Sequence, residues 1–345
     1  MMRAIVAWLL LVALPPVAVA QTPRATSGIL LGVNTCPYSS CALFNTYWIV
    51  REGDRVRIAA QGKGLAVPRR DGFWWVGVEA GSSITTRPDT AECPDSTAED
   101  PDAPMSNTTE IPIVPSVIWA APASTRDARR APSGGYGEIA IDWVNGDWVA
   151  ITERTMASDQ EHSTTSRYIL PLDGVARGDS AIGESAFSAA GPRFARAIES
   201  CMAGTDERAG SLQWQVLRRM TYWEVAGAFR SYGDMDEPGS QCRLPRELAA
   251  AVIGPDRVTV PWSAIKSVLP GATIAFESPA ADLLVVLQDS VWYAFFPKGR
   301  APGGIVARFR IAGAPVMAQW AIGAHASRWT TELTALLSAG TPVPR

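Results

Sequence analysis

The sequence predicts a mainly β protein built from repeated tryptophan-containing β-hairpins, with a few short helices, one of them at the C-terminus. Many short runs alternate apolar and polar residues, which is the period of a half-buried strand. Trp74, Trp148, Trp223 and Trp292 hold similar places in these runs, at intervals of roughly seventy residues, which indicates a degenerate repeat. The repeat is compatible with a β-propeller-like array; sandwich and mixed β arrangements are the alternatives.

Six pairs of strands are predicted as hairpins. They are 47–50 with 56–59, 65–67 with 73–78, 139–143 with 148–152, 212–220 with 222–229, 283–287 with 291–296, and 306–311 with 316–322 through Gly313. The clearest turn is Asn145-Gly146, because Asn-Gly suits a two-residue type I′ turn with positive φ at both positions. Most tryptophans lie in alternating strands, so we expect them to fill the core rather than to form an exposed binding row.

Helices are predicted in four places. The first begins at Gly191-Pro192 and ends at Gly204, since proline suits the first helical position and glycine the end. Two more cover 245–253 and 262–269. The last begins near Ser327, and its apolar side, which we expect to pack over the β core, carries Trp329, Leu333, Leu336 and Leu337.

The chain is interpreted as residues 1–20, a secretory signal peptide, followed by a single β-rich domain over 21–345. Arg3 precedes an apolar run over 4–14, and Ala18-Val19-Ala20 supplies an A-x-A cleavage site. The apolar run is short for a membrane span. This predicts a secreted or periplasmic protein with no membrane span after cleavage.

A disordered or loop insertion is predicted near residues 87–107. This stretch combines four prolines with several Asp and Glu residues and almost no large apolar side chain. We interpret it as an insertion into the domain because the hairpin pattern continues on both sides. The alternative is a linker after a small N-terminal β unit.

Composition limits the partners. Hydrophobic residues make up 47% of the chain, enough for a sizeable core, and the net charge is −3. A nearly neutral chain argues against a nucleic-acid partner. Arginine supplies nearly all of the positive charge, which is typical of a GC-rich, bacterial genome.

The five cysteines are interpreted first as disulfide partners, because exported proteins mature in oxidising compartments. Cys36 and Cys41 are close enough to bridge around a tight loop, and Cys201 with Cys242 could form a second bridge. Cys93 would then be left over, although it could instead pair with Cys36 or Cys41. Zinc is a weaker alternative, since the spacing is marginal.

A weak calcium site is predicted at Asp234, Asp236 and Glu237. Their carboxylates, followed by Gly239, could wrap a hard cation. The full EF-hand spacing is missing, so a solvated acidic turn is the simpler interpretation. No other cofactor is predicted.

No catalytic motif is assembled in the sequence. The only histidines are His162, in a Ser/Thr-rich stretch, and His325, before the last helix, and both are expected at the surface. Gly178-Asp179-Ser180 resembles the serine block of one esterase class, but the Asp-x-x-His element ending at His162 precedes it instead of following it. The catalytic residues therefore stay unknown.

These observations favour a non-enzymatic binding or interaction protein of the cell envelope or exterior, with an unknown protein or glycan ligand. The alternatives are a hydrolase acting on an envelope or extracellular polymer through acids that the fold brings together, and a structural module of a larger assembly.

Overall fold

The computed structural model describes residues 25–35, 43–80, 116–124, 137–156, 163–177, 191–203, 212–229, 241–254 and 256–339. The strands are β1 Ala25–Asn34, β2 Phe44–Glu52, β3 Arg55–Lys63, β4 Leu65–Arg69, β5 Gly72–Ala80, β6 Ser116–Pro122, β7 Gly137–Val144, β8 Trp148–Met156, β9 Ser163–Pro171, β10 Leu212–Arg218, β11 Trp223–Phe229, β12 Gln241–Arg243, β13 Ile274–Glu277, β14 Leu284–Gln288, β15 Val291–Phe295, β16 Ile305–Arg310 and β17 Ala314–Ile322. The helices are α1 Leu172–Arg177, α2 Gly191–Met202, α3 Arg246–Ile253, α4 Trp262–Val268 and α5 Ala324–Ala339.

The described strands form five small antiparallel sheets that follow one another along the chain, except that β17 belongs to the first sheet. Their strand orders are β17-β1-β2-β3, β4-β5-β6, β7-β8-β9, β10-β11-β12 and β13-β14-β15-β16. The protein is therefore mainly β with a C-terminal helix, as predicted. No closed barrel or propeller is detected among the described strands. Of the helices in the described ranges, none is long and apolar enough to cross a membrane.

The first sheet joins the two ends of the described chain. β17 pairs antiparallel with β1, from Ser27 opposite Ile322 to Asn34 opposite Ala314, and β1 pairs in turn with β2. The predicted hairpin between β16 and β17 is therefore wrong, since β16 pairs with β15 and β17 belongs to another sheet. Gly313, at φ +108°, makes the crossing, and a Cβ there would overlap the carbonyl of Asn34.

The other five predicted hairpins are confirmed as β2–β3, β4–β5, β7–β8, β10–β11 and β14–β15. The type I′ turn predicted at Asn145-Gly146 is wrong, because neither residue has a positive φ. Instead the Asn145 side-chain oxygen accepts the amides of Asp147 and Trp148, at 2.9 and 2.8 Å, in a three-residue loop. Residues 289 and 290, between β14 and β15, do both have positive φ, as a type I′ turn requires.

Hydrogen bonds connect the first sheet to the second and the second to the third. Thr46 on β2 donates its hydroxyl to the Gly64 carbonyl at 2.6 Å and accepts the Ala66 amide at 3.0 Å. Arg69 on β4 lies 2.8 Å from the carboxylate of Asp173, in α1 directly after β9. Sheets that follow each other in sequence are thus neighbours in space.

The same holds for the later sheets. The Arg167 amide on β9 donates to the Gln213 side chain on β10 at 3.1 Å. Arg218, at the end of β10, donates to the carbonyl of Ala275 on β13. These contacts connect the third sheet to the fourth and the fourth to the fifth.

The fifth sheet returns to the first. Arg51 on β2 donates to the Asp282 carbonyl, between β13 and β14, at 2.6 Å. Its guanidinium carbon also lies 4.1 Å from the centre of the Phe296 ring. Every consecutive pair of sheets, including the last with the first, is therefore bridged by a hydrogen bond.

Two large apolar clusters lie between the sheets. One joins the first three sheets to α5, and the other joins the first, third, fourth and fifth sheets. Alternate residues of one strand serve both clusters, because successive side chains point to opposite faces. Leu30 and Trp48 belong to the first cluster, whereas Ile29 and Ile49 belong to the second.

Each sheet carries tryptophan on an interior strand. These residues are Trp48 on β2, Trp75 on β5, Trp148 on β8, Trp223 on β11 and Trp292 on β15. All the tryptophans except Trp8 lie in the described residues, and none of those is exposed. The prediction that tryptophan fills the core is confirmed for this part of the chain.

The helices α2 to α5 match the four predicted places, and α5 begins three residues before the expected start. The buried residues of α5 are Ala326, Trp329, Leu333 and Leu337, and the helix packs on β3 and β1 of the first sheet. Six elements were not predicted, namely β1, β6, β9, β12, β13 and α1. The insertion predicted near 87–107 lies outside the described residues.

Candidate functional site

Several predicted site residues fall outside the described residues, namely Asp234, Asp236, Glu237, Cys36, Cys41, Cys93 and His162. The weak calcium site therefore stays a prediction. Within the described ranges, no group of three or more His, Cys, Asp or Glu side chains is arranged to hold a metal ion.

The structure joins Cys201 and Cys242 in a disulfide, with their Cα atoms 5.3 Å apart. Cys201 lies in α2 and Cys242 lies on β12, the edge strand of the fourth sheet. Phe194, earlier in α2, packs its ring 5.4 Å from that of Trp214 on β10. The disulfide and this contact together hold α2 against the fourth sheet.

His325 does not meet a carboxylate. It is exposed in the first turn of α5, its ring lies 5.1 Å edge-to-face from Trp329, and the Arg328 guanidinium lies 3.3 Å from Nδ1. A histidine paired with an acid, which a triad requires, is thus not formed at this position.

Asp142, on β7, is a largely buried carboxyl whose pKa is strongly raised. It is the extra residue of a β-bulge, because the β7–β8 register shifts between Ile141 and Trp143. Bulges re-aim side chains and occur often beside active sites. The Thr152 hydroxyl donates to its Oδ2 at 2.7 Å. Burial raises the pKa of Asp142 to about 6, although Thr152 and the charge of Arg167 oppose the shift.

A carboxyl that titrates near neutral pH can donate and accept protons, which suits a general acid or base. The Asp142 site lies at the boundary of the third and fourth sheets, where the Arg167 amide contacts Gln213. No second carboxylate is paired with Asp142 in the described part of the chain. The two-acid arrangement of a polymer hydrolase is therefore not assembled there.

A buried ion pair lies between the fourth and fifth sheets. Arg218 forms an ion pair with Asp256, and its guanidinium carbon lies 3.8 Å from the centre of the Phe276 ring. Asp256 also accepts the Trp223 amide at 3.0 Å. Burial raises the pKa of Asp256, opposed mainly by the charge of Arg218, and burial lowers the pKa of Arg218. Because both groups bind protein atoms, we interpret this ion pair as a connection between the fourth and fifth sheets.

The most unusual surface is formed by the segment of chain that follows β15. From residue 290 to residue 331 the sequence contains no Asp or Glu. Five exposed cations lie in this stretch. Arg328 is paired with Glu332 on α5 at 3.8 Å. The other four are Lys298, Arg300, Arg308 and Arg310, and together with β16 we call them the β16 surface. No described carboxylate lies within ion-pair distance of any of the four. Positive charge is thus concentrated on one edge of a protein whose net charge is −3.

The β16 surface also carries apolar and aromatic groups. Ile305 and Val306 are exposed by 37% and 39%, which is unusual for large apolar side chains on an edge strand. Across the β15–β16 ladder Arg308 is opposite Tyr293, and its guanidinium carbon lies 5.5 Å from the ring centre. A cation over an aromatic face is partly held in place, so Arg308 is oriented before any ligand binds.

No protein-family model matches this chain, and no curated protein matches it either. The site must therefore be judged on its own chemistry. Neither the Asp142 site nor the β16 surface was predicted from the sequence. The acid-free stretch was visible as a charge pattern, whereas the Asp142 bulge depends on a strand register that the sequence does not reveal.

Proposed function

We propose that this protein is an exported binding protein of the cell envelope or exterior, and that it binds an anionic partner through the β16 surface. The observation that carries the proposal is the acid-free segment, in which four exposed cations have no described carboxylate within ion-pair distance. Unpaired surface charges of one sign raise the local concentration of oppositely charged ligands and steer their approach. The signal peptide predicted over 1–20 and the Cys201–Cys242 disulfide support an oxidising compartment.

We propose further that the five sheets form a radial, propeller-like array. Support comes from the hydrogen bonds that bridge every consecutive pair of sheets, and from the β1–β17 pairing that joins the two chain ends. β17 also lies against β7 of the third sheet, so the centre would be filled. A crystal structure of residues 21–345 tests this: sheets arranged about one axis support the array, and two stacked layers contradict it.

The binding function is tested with purified residues 21–345 and two anionic polymers, polyglutamate and dextran sulfate. We expect binding that weakens as salt is added, because salt screens exposed charges. Arg308→Glu with Arg310→Glu should reduce the affinity by about tenfold or more. The matched control is Arg193→Glu with Arg257→Glu, which changes the net charge equally at exposed cations on other elements.

Equal losses in the two double variants would mean that only overall charge matters and would contradict a localised surface. Absence of binding to both polymers would contradict the proposed function itself. Circular dichroism of each variant checks that the fold is retained.

A hydrolase is the second candidate, and the Asp142 site is the observation that favours it. A carboxyl with a pKa of about 6 beside a hydroxyl and a guanidinium could assist hydrolysis of an envelope polymer. The test is turnover of peptidoglycan and extracellular polysaccharides by the wild-type protein and by Asp142→Asn. Turnover that survives the substitution would remove Asp142 from the chemistry.

A further inference from the structure

We infer that the partner of the β16 surface is an extended acidic polypeptide that adds to the fifth sheet as a further strand beside β16. This inference rests on the proposed function and specifies its ligand. It identifies a partner by charge and by backbone geometry, which are both visible at this surface.

No other strand in the described residues pairs with the outer edge of β16. β16 is the last strand of the sheet β13-β14-β15-β16 and hydrogen-bonds only to β15 within it. On an edge strand, alternate N–H and C=O groups point away from the sheet and can pair with another chain. The register with β15 skips Val306 as a bulge, so the regular edge that β16 offers to a short strand is residues 307–310.

The side chains of β16 suit an acidic strand. Arg308 and Arg310 are two residues apart, so they point to the same face of the sheet. Acidic residues at alternate positions of an added strand would lie directly across from them, and opposite charges across a strand pair are favourable. Ile305 and Val306 offer apolar contact at the start of the same strand.

A neighbouring strand adds to the positive charge. β3 of the first sheet lies beside β16, yet the two strands are not hydrogen-bonded in one sheet. β3 adds the exposed Arg55 to the positive surface, whereas its Arg57 is already paired with Glu52 through bonds of 3.0 and 2.7 Å. Arg55 thus adds to the positive charge that an acidic strand beside β16 would meet.

A polypeptide fits this surface better than a polysaccharide or a lipid. Sugars and lipid headgroups can meet the cations, but they cannot match the regular N–H and C=O spacing of a strand edge. Charged residues on an edge can also serve to prevent aggregation. Prevention of aggregation requires no ligand, so a binding experiment distinguishes it from the binding of an acidic strand.

The experiment uses the full protein of residues 21–345 and a short peptide of alternating Glu and Val. Two further peptides carry N-methyl groups on alternate amides, one on the Glu amides and one on the Val amides. N-methylation removes a hydrogen-bond donor without changing charge. In a strand, alternate N–H groups point to opposite sides, so only one methylated peptide loses the donors that face β16.

We expect the unmodified peptide and one methylated peptide to bind, and the other to bind at least about tenfold more weakly. Arg308→Ala with Arg310→Ala should weaken binding of the unmodified peptide, and the same double variant should fold, because both side chains are exposed.

Equal binding of all three peptides would show attraction by charge alone; it would overturn the added strand and leave the proposed function intact. Binding of dextran sulfate but of no peptide would overturn the inference in favour of an anionic polysaccharide. If neither dextran sulfate nor any peptide binds, the proposed function falls together with the inference.

Discussion

Trp48 and Thr330, 282 residues apart in the sequence, are joined by a hydrogen bond in which the indole N–H donates to the threonine hydroxyl at 3.0 Å. The Thr330 hydroxyl donates in turn to the Ala326 carbonyl at 2.9 Å. Trp48 is fully buried on β2, so its N–H has no access to water. The hydroxyl therefore fixes α5 on the first sheet.

Replacing Thr330 with valine keeps the shape of the side chain but leaves the buried indole N–H without an acceptor. A buried polar group without a partner costs about 1–3 kcal/mol. We expect Thr330→Val to lower the free energy of unfolding by this amount, measured by urea denaturation. Thr330→Ser, which keeps the hydroxyl, is the control and should lose clearly less; equal losses would contradict the role of the hydrogen bond.

The Cys201–Cys242 disulfide should stabilise the fold by closing a long loop. For cysteines 41 residues apart, the chain-entropy argument gives about 3–4 kcal/mol. We expect Cys201→Ala with Cys242→Ala to lose a stability of this order, measured by urea denaturation without reductant. Reductant should destabilise the wild-type protein in the same way.

The double variant also reports on the second predicted bridge. If Cys36 and Cys41 are joined as the sequence suggests, reductant should destabilise the double variant further. No effect of reductant on the double variant would argue against that bridge. No difference between wild-type protein and double variant would contradict a stabilising role for Cys201 and Cys242.

Local patterns made much of the fold predictable. Five hairpins could be predicted because each joins strands that are adjacent in sequence and separated by turn residues. The sixth was wrong because β17 pairs with β1, nearly the whole chain away, and non-local pairing leaves no local signal. β9 was missed because its first half is Ser/Thr-rich, so its apolar alternation is weak.

The candidate sites divide in the same way. The β16 surface is a matter of composition, and an acid-free stretch can be read directly from the sequence. Asp142 stands in a run of alternating residues, where its position predicts an ordinary exposed side chain. Only the β7–β8 register makes it the extra residue of a bulge, and its burial appears only once the chain is folded.

Gly146 should be required for close contact between the second and third sheets. A Cβ at this position would lie 2.7 Å from the carbonyl oxygen of Pro68, which is backbone and cannot move aside easily. We expect Gly146→Ala to destabilise the protein by about 1–3 kcal/mol, the usual cost of overpacking, measured as a shift in the urea midpoint.

The matched control is Gly304→Ala. A Cβ at Gly304 meets no atom within 4 Å, and its φ is not positive. Alanine there should be neutral, or stabilising by up to about 1 kcal/mol through a less flexible unfolded chain. If both variants had the same effect, the contact with Pro68 would not matter.

Asp142 should make the stability of the protein depend on pH. Its pKa is about 6 in the folded protein against an ordinary value of 3.8, so the folded state holds the proton more tightly than the unfolded state. As far as Asp142 is concerned, the folded state is therefore most stable relative to the unfolded state below about pH 4. Stability falls as the pH rises towards 6 and above, where both states are ionised and the full cost applies, about 2–3 kcal/mol.

Asp142→Asn should remove this cost, because the amide oxygen can still accept the Thr152 hydroxyl but carries no charge. We expect the variant to match the wild-type protein near about pH 4 and to exceed its stability by about 2–3 kcal/mol near pH 7, in urea denaturation across this range. Thr152→Val should move the wild-type transition to higher pH, since that hydroxyl favours the carboxylate, whereas Thr152→Ser should leave it in place. A stability difference between Asp142→Asn and wild type that stays constant with pH would show that this carboxyl is not the group that titrates.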